Sequence, residues 1–373
     1  MRELTDKLLQ ALEASDATQA TELFTEEITK GGDAWKIHLS LFPFVQRVLN
    51  PPFINPHLPK MYRIYRELIS YLKKDEIPKL IRLEVNEYAR RPKLEKLPKT
   101  SLLTSTVSFS DIESAIRKQD WEKATVSMAT FCTRTGGAEL ARRLLLLGSG
   151  YLNDSLGHSV SCTAFILLEM LEPSDQDPWP ALSTLADYFC KGKFHTTPPL
   201  RKTPAFPSNE IFDQHLLRAT SGRGIVNLHH TITIYSMERV RHFFTEEEYN
   251  HMIGAWISFM EDKKLKLAVL DSPKMESPGG YTRFYEAFSR LEAKSVVVSL
   301  SEMIASPQGR AEMGRFLIKS LCDRYQGNYN PHYFTGLGSA LWVVDQYWRQ
   351  PPIVVNALHQ YVDFLFESLK FED

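Results

Sequence analysis

The amino-acid sequence predicts an all-α protein, a multi-helical array of helical hairpins around a central helical core. Apolar residues recur at spacings of three and four along most of the 373 residues, and this spacing places them on one face of a helix. Val296 to Val298 is the only β-branched triplet with strand character, and no partner strand with a hairpin turn lies near it. The pattern predicts about sixteen helices joined by short loops.

Helical hairpins are expected in the N-terminal part of the chain. The predicted helices lie within residues 1–30, at 34–50, at 58–72 and at 77–90. Pro43 is expected to bend the second of these segments or to mark its restart. The polar, proline-punctuated segment 91–99 is the best candidate for a linker. We expect a single all-α domain, 1–373, with a possible subdivision into N-terminal hairpins, 1–99, and a helical core with a pocket, 100–373.

The central part of the chain is the most apolar. Ser110 and Glu113 have the spacing of a capping box, which predicts a helix start at this point. Helices are predicted at 110–119, 121–134, 138–148 and 156–172. The last two are apolar nearly all round, so we expect them to be central helices packed on several sides.

Two stretches rich in proline and polar residues, 173–180 and 195–209, flank a predicted helix at 181–191. The second stretch is long for a connection without secondary structure, which makes it a candidate lid over a site. Thr245 and Glu248 form a second capping-box pattern. The remaining predicted helices are 225–243, 246–262, 281–293, 295–305, 307–325, 336–349 and 352–370.

Charge and composition exclude several classes of function. The 44 Lys and Arg residues nearly balance the 45 Asp and Glu residues, so no global field would hold a polyanion, and we expect no nucleic-acid partner. The densest basic stretch, 191–202, is either a solvated loop or an anion site. The 4 cysteines are far apart and are expected to be reduced. No apolar window is long enough to cross a membrane and no signal-peptide pattern is present, so a cytoplasmic location is expected.

A weak internal repeat draws attention to histidines. Three segments align, at 156–160 (LGHSV), 228–232 (LHHTI) and 337–341 (LGSAL). Each opens an apolar helix, as an internal duplication would, although Ser339 stands where the first two segments carry histidine. His158, His229 and His230 are therefore candidate catalytic residues that could converge on one pocket. The alternative is that each is a core histidine whose ring nitrogens are bonded locally.

Spacing argues against a metal site. Glu169 lies eleven residues after His158, about 16 Å along one helix, which is too far for the two to share an ion. Glu248 and His251 have the Glu-x-x-His form of di-iron bundles, but such bundles need two copies. We therefore expect no metal site.

Common catalytic motifs are not found in the sequence. It contains no GxSxG, no GxxxxGK[ST] and no GxGxxG after a strand, which argues against hydrolase, P-loop and Rossmann classes. Cys162 and His158 are four residues apart and could form a nucleophile and its base. A buried thiol has a raised pKa, however, which disfavours this interpretation.

Aromatic residues are dense between positions 325 and 348, where a Gly- and Asn-rich turn interrupts them. Such stripes usually belong to the core. Interrupted by glycine and by His332, they could instead line a site for a planar, apolar ligand. Tyr333, Phe334 and Trp342 are the candidate substrate-binding residues, and a small apolar or aromatic molecule is the expected partner.

On these segments the chain resembles the questin oxidase-like family. The resemblance rests on the Leu-Gly-His-Ser-Val helix start at 156–160, the Leu-His-His-Thr-Ile-Thr helix at 228–233 and the closing aromatic region, and it covers roughly residues 140 to 345. It implies a helical enzyme that oxidises polycyclic aromatic molecules by oxygen insertion with NADPH. It also implies that His158, His229 and His230 act as acid, base or substrate hydrogen-bond donors. The segment Asn55-Pro56-His57 carries one histidine where the family has two.

Two functions of different classes follow from the sequence. The first is a helical oxidoreductase-like enzyme that acts on an apolar or aromatic small molecule through a histidine-lined pocket. The second is a non-catalytic helical-repeat protein that binds a protein partner on its stacked hairpins. The enzyme requires its histidines around one cavity, whereas the repeat protein requires a large exposed apolar patch.

Overall fold

The structure is a computed structural model that describes residues 2–95, 97–98, 101, 103, 105–172, 177–200, 209–261, 280–324 and 330–370. These residues form 19 α-helices and no β-strand, which confirms the predicted all-α class. The triplet Val296 to Val298 lies inside a helix.

In chain order the helices are α1 (Arg2–Glu13), α2 (Ala17–Thr29), α3 (Ala34–Ser40), α4 (Phe42–Val45), α5 (His57–Ile69), α6 (Ile77–Arg90), α7 (Phe109–Arg117), α8 (Trp121–Thr135), α9 (Gly137–Ser149), α10 (His158–Leu171), α11 (Trp179–Gly192), α12 (Asn209–Ser221), α13 (Gly224–Val240), α14 (Glu246–Glu261), α15 (Gly280–Ser289), α16 (Ala293–Ser301), α17 (Pro307–Arg324), α18 (His332–Tyr347) and α19 (Pro351–Lys370). A short 3-10 helix, Arg241–Phe243, follows α13.

Two of these helices were not predicted as separate elements. Pro43 divides the segment predicted at 34–50 into α3 and α4, and it occupies the first turn of α4, where its missing N–H costs no hydrogen bond. The other is α12, which buries Phe212, Leu216 and Ala219 at helical spacing.

The chain divides into two compact units. Unit 1 comprises Met1–Arg66, Lys74–Arg201 and Ser236–Met252, and unit 2 comprises Glu67–Lys73, Lys202–Tyr235 and Ile253–Asp373. The single domain expected from the sequence, and its possible subdivision at residue 99, stay predictions.

Unit 1 contains helical hairpins of the predicted kind. Among its packed pairs are α1 with α2, α7 with α8 and α9 with α10. The capping box of α7 was predicted at the wrong place, because Ser108 and Asp111 form it rather than Ser110 and Glu113. Ser108 has extended backbone angles and the helix begins at Phe109, so the carboxylate in reach of the free N–H belongs to Asp111. The box of Thr245 and Glu248 is confirmed.

The apolar helix α10 is central to unit 1, as the sequence predicts. All of its residues except the last are buried. At its start it lies very close to α9, since a Cβ atom on Gly148 would lie 2.5 Å from the carbonyl oxygen of Ser159. The Ser159 hydroxyl donates to the carbonyl of Gly148 at 2.7 Å. Glycine at position 148 therefore permits this helix contact.

Unit 2 is organised around its last helix. In this unit α19 packs against α12, α16 and α18. Gln360 Nε2 donates to the carbonyls of Ala219 and Gly222 at 2.8 and 2.7 Å, and its Oε1 accepts from Thr231 Oγ1 at 2.7 Å. This buried amide ties α19 to the end of α12 and to α13.

Some predicted features fall outside the described residues. They include positions 201–208 of the candidate lid, the end of the basic stretch 191–202, and Tyr325 and Tyr329 of the aromatic region. Across the ranges that the structure describes, no helix combines the length and the apolar character needed to cross a bilayer.

Candidate functional site: two pairs of histidines

Two histidines of unit 1 meet ring to ring. His57 is the first residue of α5 and His158 is the first residue of α10. The two Nε2 atoms are 2.7 Å apart, and the rings are nearly perpendicular at 85°. Both side chains are buried. One of the predicted catalytic histidines therefore belongs to a pair that the sequence analysis did not identify.

The Nδ1 contacts define how the protons are arranged in this pair. His158 Nδ1 lies 2.7 Å from the carbonyl oxygen of Ser155, which can only accept, so this Nδ1 carries hydrogen. His57 Nδ1 lies 3.3 Å from Nδ2 of Asn50, which can only donate, so this Nδ1 accepts. The proton of the neutral His57 ring is then on Nε2, and it is donated to Nε2 of His158.

Further polar residues extend along the same two helices, and we call this set the α5–α10 seam. It consists of His57, Lys60, Arg63 and Arg66 on α5 with His158, Ser161, Cys162, Glu169 and the adjoining Glu172 on or next to α10. Residue numbers rise together along the bonded pairs, so the two helices run in the same direction.

The middle of the α5–α10 seam is a buried amine next to a buried thiol. Lys60 is fully buried, with its Nζ 3.4 Å from Ser161 Oγ. Burial lowers the pKa of Lys60, because the ammonium loses its hydration. Burial raises the pKa of Cys162 to about 11. The thiol is therefore protonated at neutral pH, which argues against Cys162 and His158 as a nucleophile and its base.

The far end of the α5–α10 seam is an ion-pair network. Arg66 Nη1 donates to Glu169 Oε1 at 2.7 Å, and Arg63 bonds both Glu169 and Glu172. Burial raises the pKa of Glu169 even though both guanidinium groups oppose this shift. We interpret this end of the seam as structural.

A separate buried acid–base pair lies elsewhere in unit 1. His38 Nδ1 is 2.6 Å from Glu84 Oε2, and both side chains have 0% exposure. The Tyr62 ring stacks on the imidazole at a centroid distance of 4.1 Å. The second oxygen of Glu84 has no hydrogen-bond partner in the described part of the chain. Stability at this position therefore depends on the contact with His38.

Two histidines of unit 2 form the second pair. His229 lies on α13 and His332 is the first residue of α18. Their Nε2 atoms are 2.9 Å apart, and the ring centroids are 4.6 Å apart. His229 Nδ1 lies 2.6 Å from the carbonyl oxygen of Ile225, and His332 Nδ1 lies 2.8 Å from Oδ1 of Asn330.

In this second pair both Nδ1 atoms are hydrogen-bond donors. The Ile225 carbonyl can only accept, and Asn330 Oδ1 also accepts the backbone N–H of His332 at 3.0 Å, which identifies that atom as the oxygen. Each neutral ring therefore has its lone pair on Nε2. Two lone pairs that face each other at 2.9 Å repel, unless a positive charge is shared between them. A proton or a metal ion can supply that charge.

His230 does not belong to this pair. It is adjacent to His229 and so points about 100° away around α13. Its ring packs edge-on against Phe259 at 4.7 Å, and its carbonyl accepts from Trp256 Nε1 at 2.9 Å. Within unit 2 the structure brings His229 to His332 and places His230 against aromatic residues.

The three predicted substrate-binding residues lie along α18. Tyr333 and Phe334 follow His332 directly and are buried. The rings of Tyr333 and His332 are 6.1 and 6.3 Å from that of Phe364. Trp342 is ten residues beyond His332, about 15 Å along the helix axis, where it packs among other aromatic rings.

His57 and His332 were not predicted as members of the candidate site, although the sequence contains a signal for both. Both stand in an Asn-Pro-His triplet, at 55–57 and at 330–332, and each triplet leads into a helix that begins at the histidine. Alignment of apolar helix starts matched Ser339, in the interior of α18, and passed over the triplet that opens the same helix.

The fold and the site together define an all-α protein with two pairs of histidines, of which three side chains are buried and that of His332 is half-buried. Comparison of the chain with protein-family models, with curated proteins and with solved structures found no match. The resemblance to the questin oxidase-like family therefore stays a prediction. The residues that the structure describes form no strand, so the strand–turn–helix cradle of a dinucleotide is not found among them, and we derive no step through NADPH.

Proposed function

We propose that the protein is a metal-dependent oxidoreductase that binds a divalent transition-metal ion through His229 and His332 and acts on an apolar or aromatic small molecule. The observation that carries this proposal is the pair of Nε2 atoms, 2.9 Å apart, on two rings whose Nδ1 atoms both donate to oxygen. Metal-ligating histidines have this arrangement, because a carbonyl or carboxylate on the second nitrogen fixes the tautomer and orients the ring.

The spacing of the two nitrogens would allow both to bind one ion. Imidazole nitrogens bind transition-metal ions at about 2.0–2.1 Å, so two of them in neighbouring positions on one ion would lie about 2.9–3.4 Å apart. In the structure they are 2.9 Å apart. Two protein ligands leave coordination positions for water and substrate, as catalysis requires.

The reaction class and the substrate class rest on less direct support. Imidazole ligands suit iron, copper, nickel and zinc, and of these iron and copper carry out oxidations. The aromatic rings of Tyr333 and Phe364 near His332 favour an apolar substrate. Oxidation of an aromatic molecule is what the family resemblance implies. The 4 free cysteines fit a reducing compartment, and a cytoplasmic location is part of the proposal.

Cobalt(II) titration of the full-length, chelator-treated protein tests the metal site. We expect saturable binding with the visible absorption bands of a nitrogen-ligated ion. Replacing either ligand, in His229→Phe or His332→Phe, should weaken binding by a hundredfold or more, since each removes half of the protein ligands. His242→Phe is the matched control, because that histidine is exposed in the 3-10 helix.

Two results would contradict the proposal. One is wild-type protein that binds no more cobalt, iron or zinc than a variant carrying both His229→Phe and His332→Phe, which would leave the pair sharing a proton. The other is His332→Phe protein with wild-type affinity. If metal binds, oxygen consumption by the iron-loaded protein in the presence of a panel of polycyclic phenols tests the reaction class, with His332→Phe as the inactive comparison.

A further inference from the structure

Three of the four paired histidines have the same environment at Nδ1. His158, His229 and His332 each place this nitrogen 2.6 to 2.8 Å from an oxygen. His57 is the exception, because its Nδ1 faces the amide nitrogen of Asn50 at 3.3 Å. As a result the His57 proton is on Nε2, where it closes the hydrogen bond to His158.

The Asn50 amide is held loosely. Its contact with His57 is the one side-chain hydrogen bond that the described residues give it, and 3.3 Å is beyond the usual range of 2.7–3.2 Å. Asn50 also lines a cavity of about 210 Å³ in unit 1, formed by residues 49–56 and by α11. A half turn of an amide exchanges its oxygen and nitrogen with almost no change of shape. Either atom can therefore face the imidazole.

The two orientations have different consequences for the histidine pair. With Nδ2 toward His57, the pair is closed by the Nε2–H to Nε2 hydrogen bond. With Oδ1 toward His57, Nδ1 must donate, and the neutral ring then has its lone pair on Nε2. His57 and His158 would then present two nitrogen lone pairs, as His229 and His332 do.

Asn330 provides the comparison within the same chain. Its Oδ1 accepts both the backbone N–H and the Nδ1–H of His332, so rotation of that amide would break two hydrogen bonds. Asn50 has no corresponding bond to a backbone N–H within the described ranges. The Asn330 amide is therefore fixed in the orientation that leaves a lone pair on Nε2 of His332, whereas the Asn50 amide can rotate.

We propose that Asn50 is a positioning residue whose amide orientation sets which nitrogen of His57 carries the proton. One orientation closes the hydrogen bond between His57 and His158. The other opens the pair and leaves two lone pairs that can bind a metal ion. The open state rests on the premise of the proposed function that two facing Nε2 lone pairs bind a transition-metal ion, and it would make the His57–His158 pair a second site of this kind. The closed state of the metal-free protein does not depend on metal.

Nitrogen-15 NMR of the histidine side chains tests the closed state in the full-length, metal-free protein. Long-range couplings distinguish a protonated from an unprotonated ring nitrogen. We expect His57 to carry its proton on Nε2 and His158, His229 and His332 to carry theirs on Nδ1. In Asn50→Asp the carboxylate can only accept, so the His57 proton should move to Nδ1. Asn86→Asp, a half-buried replacement of the same type elsewhere in unit 1, should leave the His57 signals unchanged.

Cobalt(II) affinity tests the open state when it is measured in the His229→Phe, His332→Phe background, where the His57–His158 pair is the one that remains. Outer-shell partners of this kind change metal affinity by about 10- to 100-fold. We expect Asn50→Asp to bind cobalt at least tenfold more tightly than wild type, and Asn50→Leu, which cannot accept a hydrogen bond, to bind it at least tenfold more weakly. A purely structural role of Asn50 would weaken binding in both variants.

The two proposals can fail separately. A wild-type His57 that carries its proton on Nδ1 in the metal-free protein, or an Asn50→Asp variant with the wild-type tautomer, overturns the role of Asn50. These measurements need no metal. A protein that shows the expected tautomers but binds no cobalt would retain Asn50 as the residue that sets the His57 proton, and would overturn the metal-binding open state together with the proposed function.

Discussion

Replacement of Lys60 by methionine should stabilise the protein at neutral pH. The side chain is fully buried, and its hydrogen bond to Ser161 Oγ is long, at 3.4 Å. Methionine has a similar unbranched shape and fills the same space without a polar nitrogen. Replacing a buried ion pair by apolar residues of similar volume often stabilises a protein, by up to about 1–4 kcal/mol, and the same desolvation argument applies to a buried amine. Loss of a hydrogen bond this long subtracts about 0.5 kcal/mol, which leaves a gain of about 0.5–3.5 kcal/mol.

The gain should depend on pH in a defined direction. Burial lowers the pKa of Lys60 below its ordinary value of 10.5. Between the folded-state pKa and 10.5 the unfolded chain binds a proton that the folded chain does not, so wild-type stability rises with pH across this window. Above 10.5 neither state holds the proton, and the penalty for the charge is gone. The advantage of Lys60→Met should therefore be largest below the folded-state pKa and shrink as pH approaches 10.5.

Urea denaturation at pH 7, 8.5 and 10 measures the free energy of unfolding of wild type and of Lys60→Met. The control is Lys123→Met, in which the replaced lysine is exposed on α8, and it should match wild type at each pH. A Lys60→Met protein that is less stable than wild type at pH 7 would refute the reasoning. So would an advantage that stays constant across the three pH values.

Three further predictions test the packing of unit 1. Glu84→Ala removes one partner of a fully buried pair at 2.6 Å. Urea denaturation should show that the free energy of unfolding falls by about 3–5 kcal/mol, because His38 is left buried without its carboxylate. A fall below about 1 kcal/mol would mean that the pair is not important for stability. Gly148→Ala would place a Cβ 2.5 Å from the carbonyl oxygen of Ser159. Thermal unfolding should therefore show a destabilisation of about 1–3 kcal/mol. An unchanged melting temperature would contradict the close contact of α9 with α10. Burial raises the pKa of Cys162 from 9.0 to about 11, so its thiolate population at pH 8 falls about a hundredfold. Alkylation of the native protein by iodoacetamide, followed by mass spectrometry, should therefore be slower than alkylation in urea by at least that factor. Rapid labelling of the native protein would show that the thiol is accessible.

Most of the helices could be predicted from sequence because their signals are local. Apolar spacing and proline identify α5 and α6 to within a residue or so of their observed starts. The errors were local as well. The capping box moved by two residues, from Ser110 to Ser108, because two serines compete for the N-cap position and the backbone angles decide between them. The pattern of α12 was overlooked beside a proline-rich stretch.

The candidate site was predicted only in part. His158 and His229 were found through the apolar helices that carry them, whereas their partners were missed. His57 and His158 are 101 positions apart in sequence, and His229 and His332 are 103 apart. Contacts over such separations depend on how distant helices pack, and apolar periodicity contains no information about which helix faces meet.

The sequence by itself determined the helical class, the central place of α10 and the presence of histidines at helix starts, because backbone hydrogen bonding and amphipathic spacing act over a few residues. Only the tertiary structure decided that the histidines form two pairs, that Lys60 is a buried amine, and that His57 bonds an amide nitrogen where the other three bond oxygen. The physical reason is that pairing, burial and tautomer are properties of the environment of a side chain, and that environment is assembled from segments a hundred residues apart.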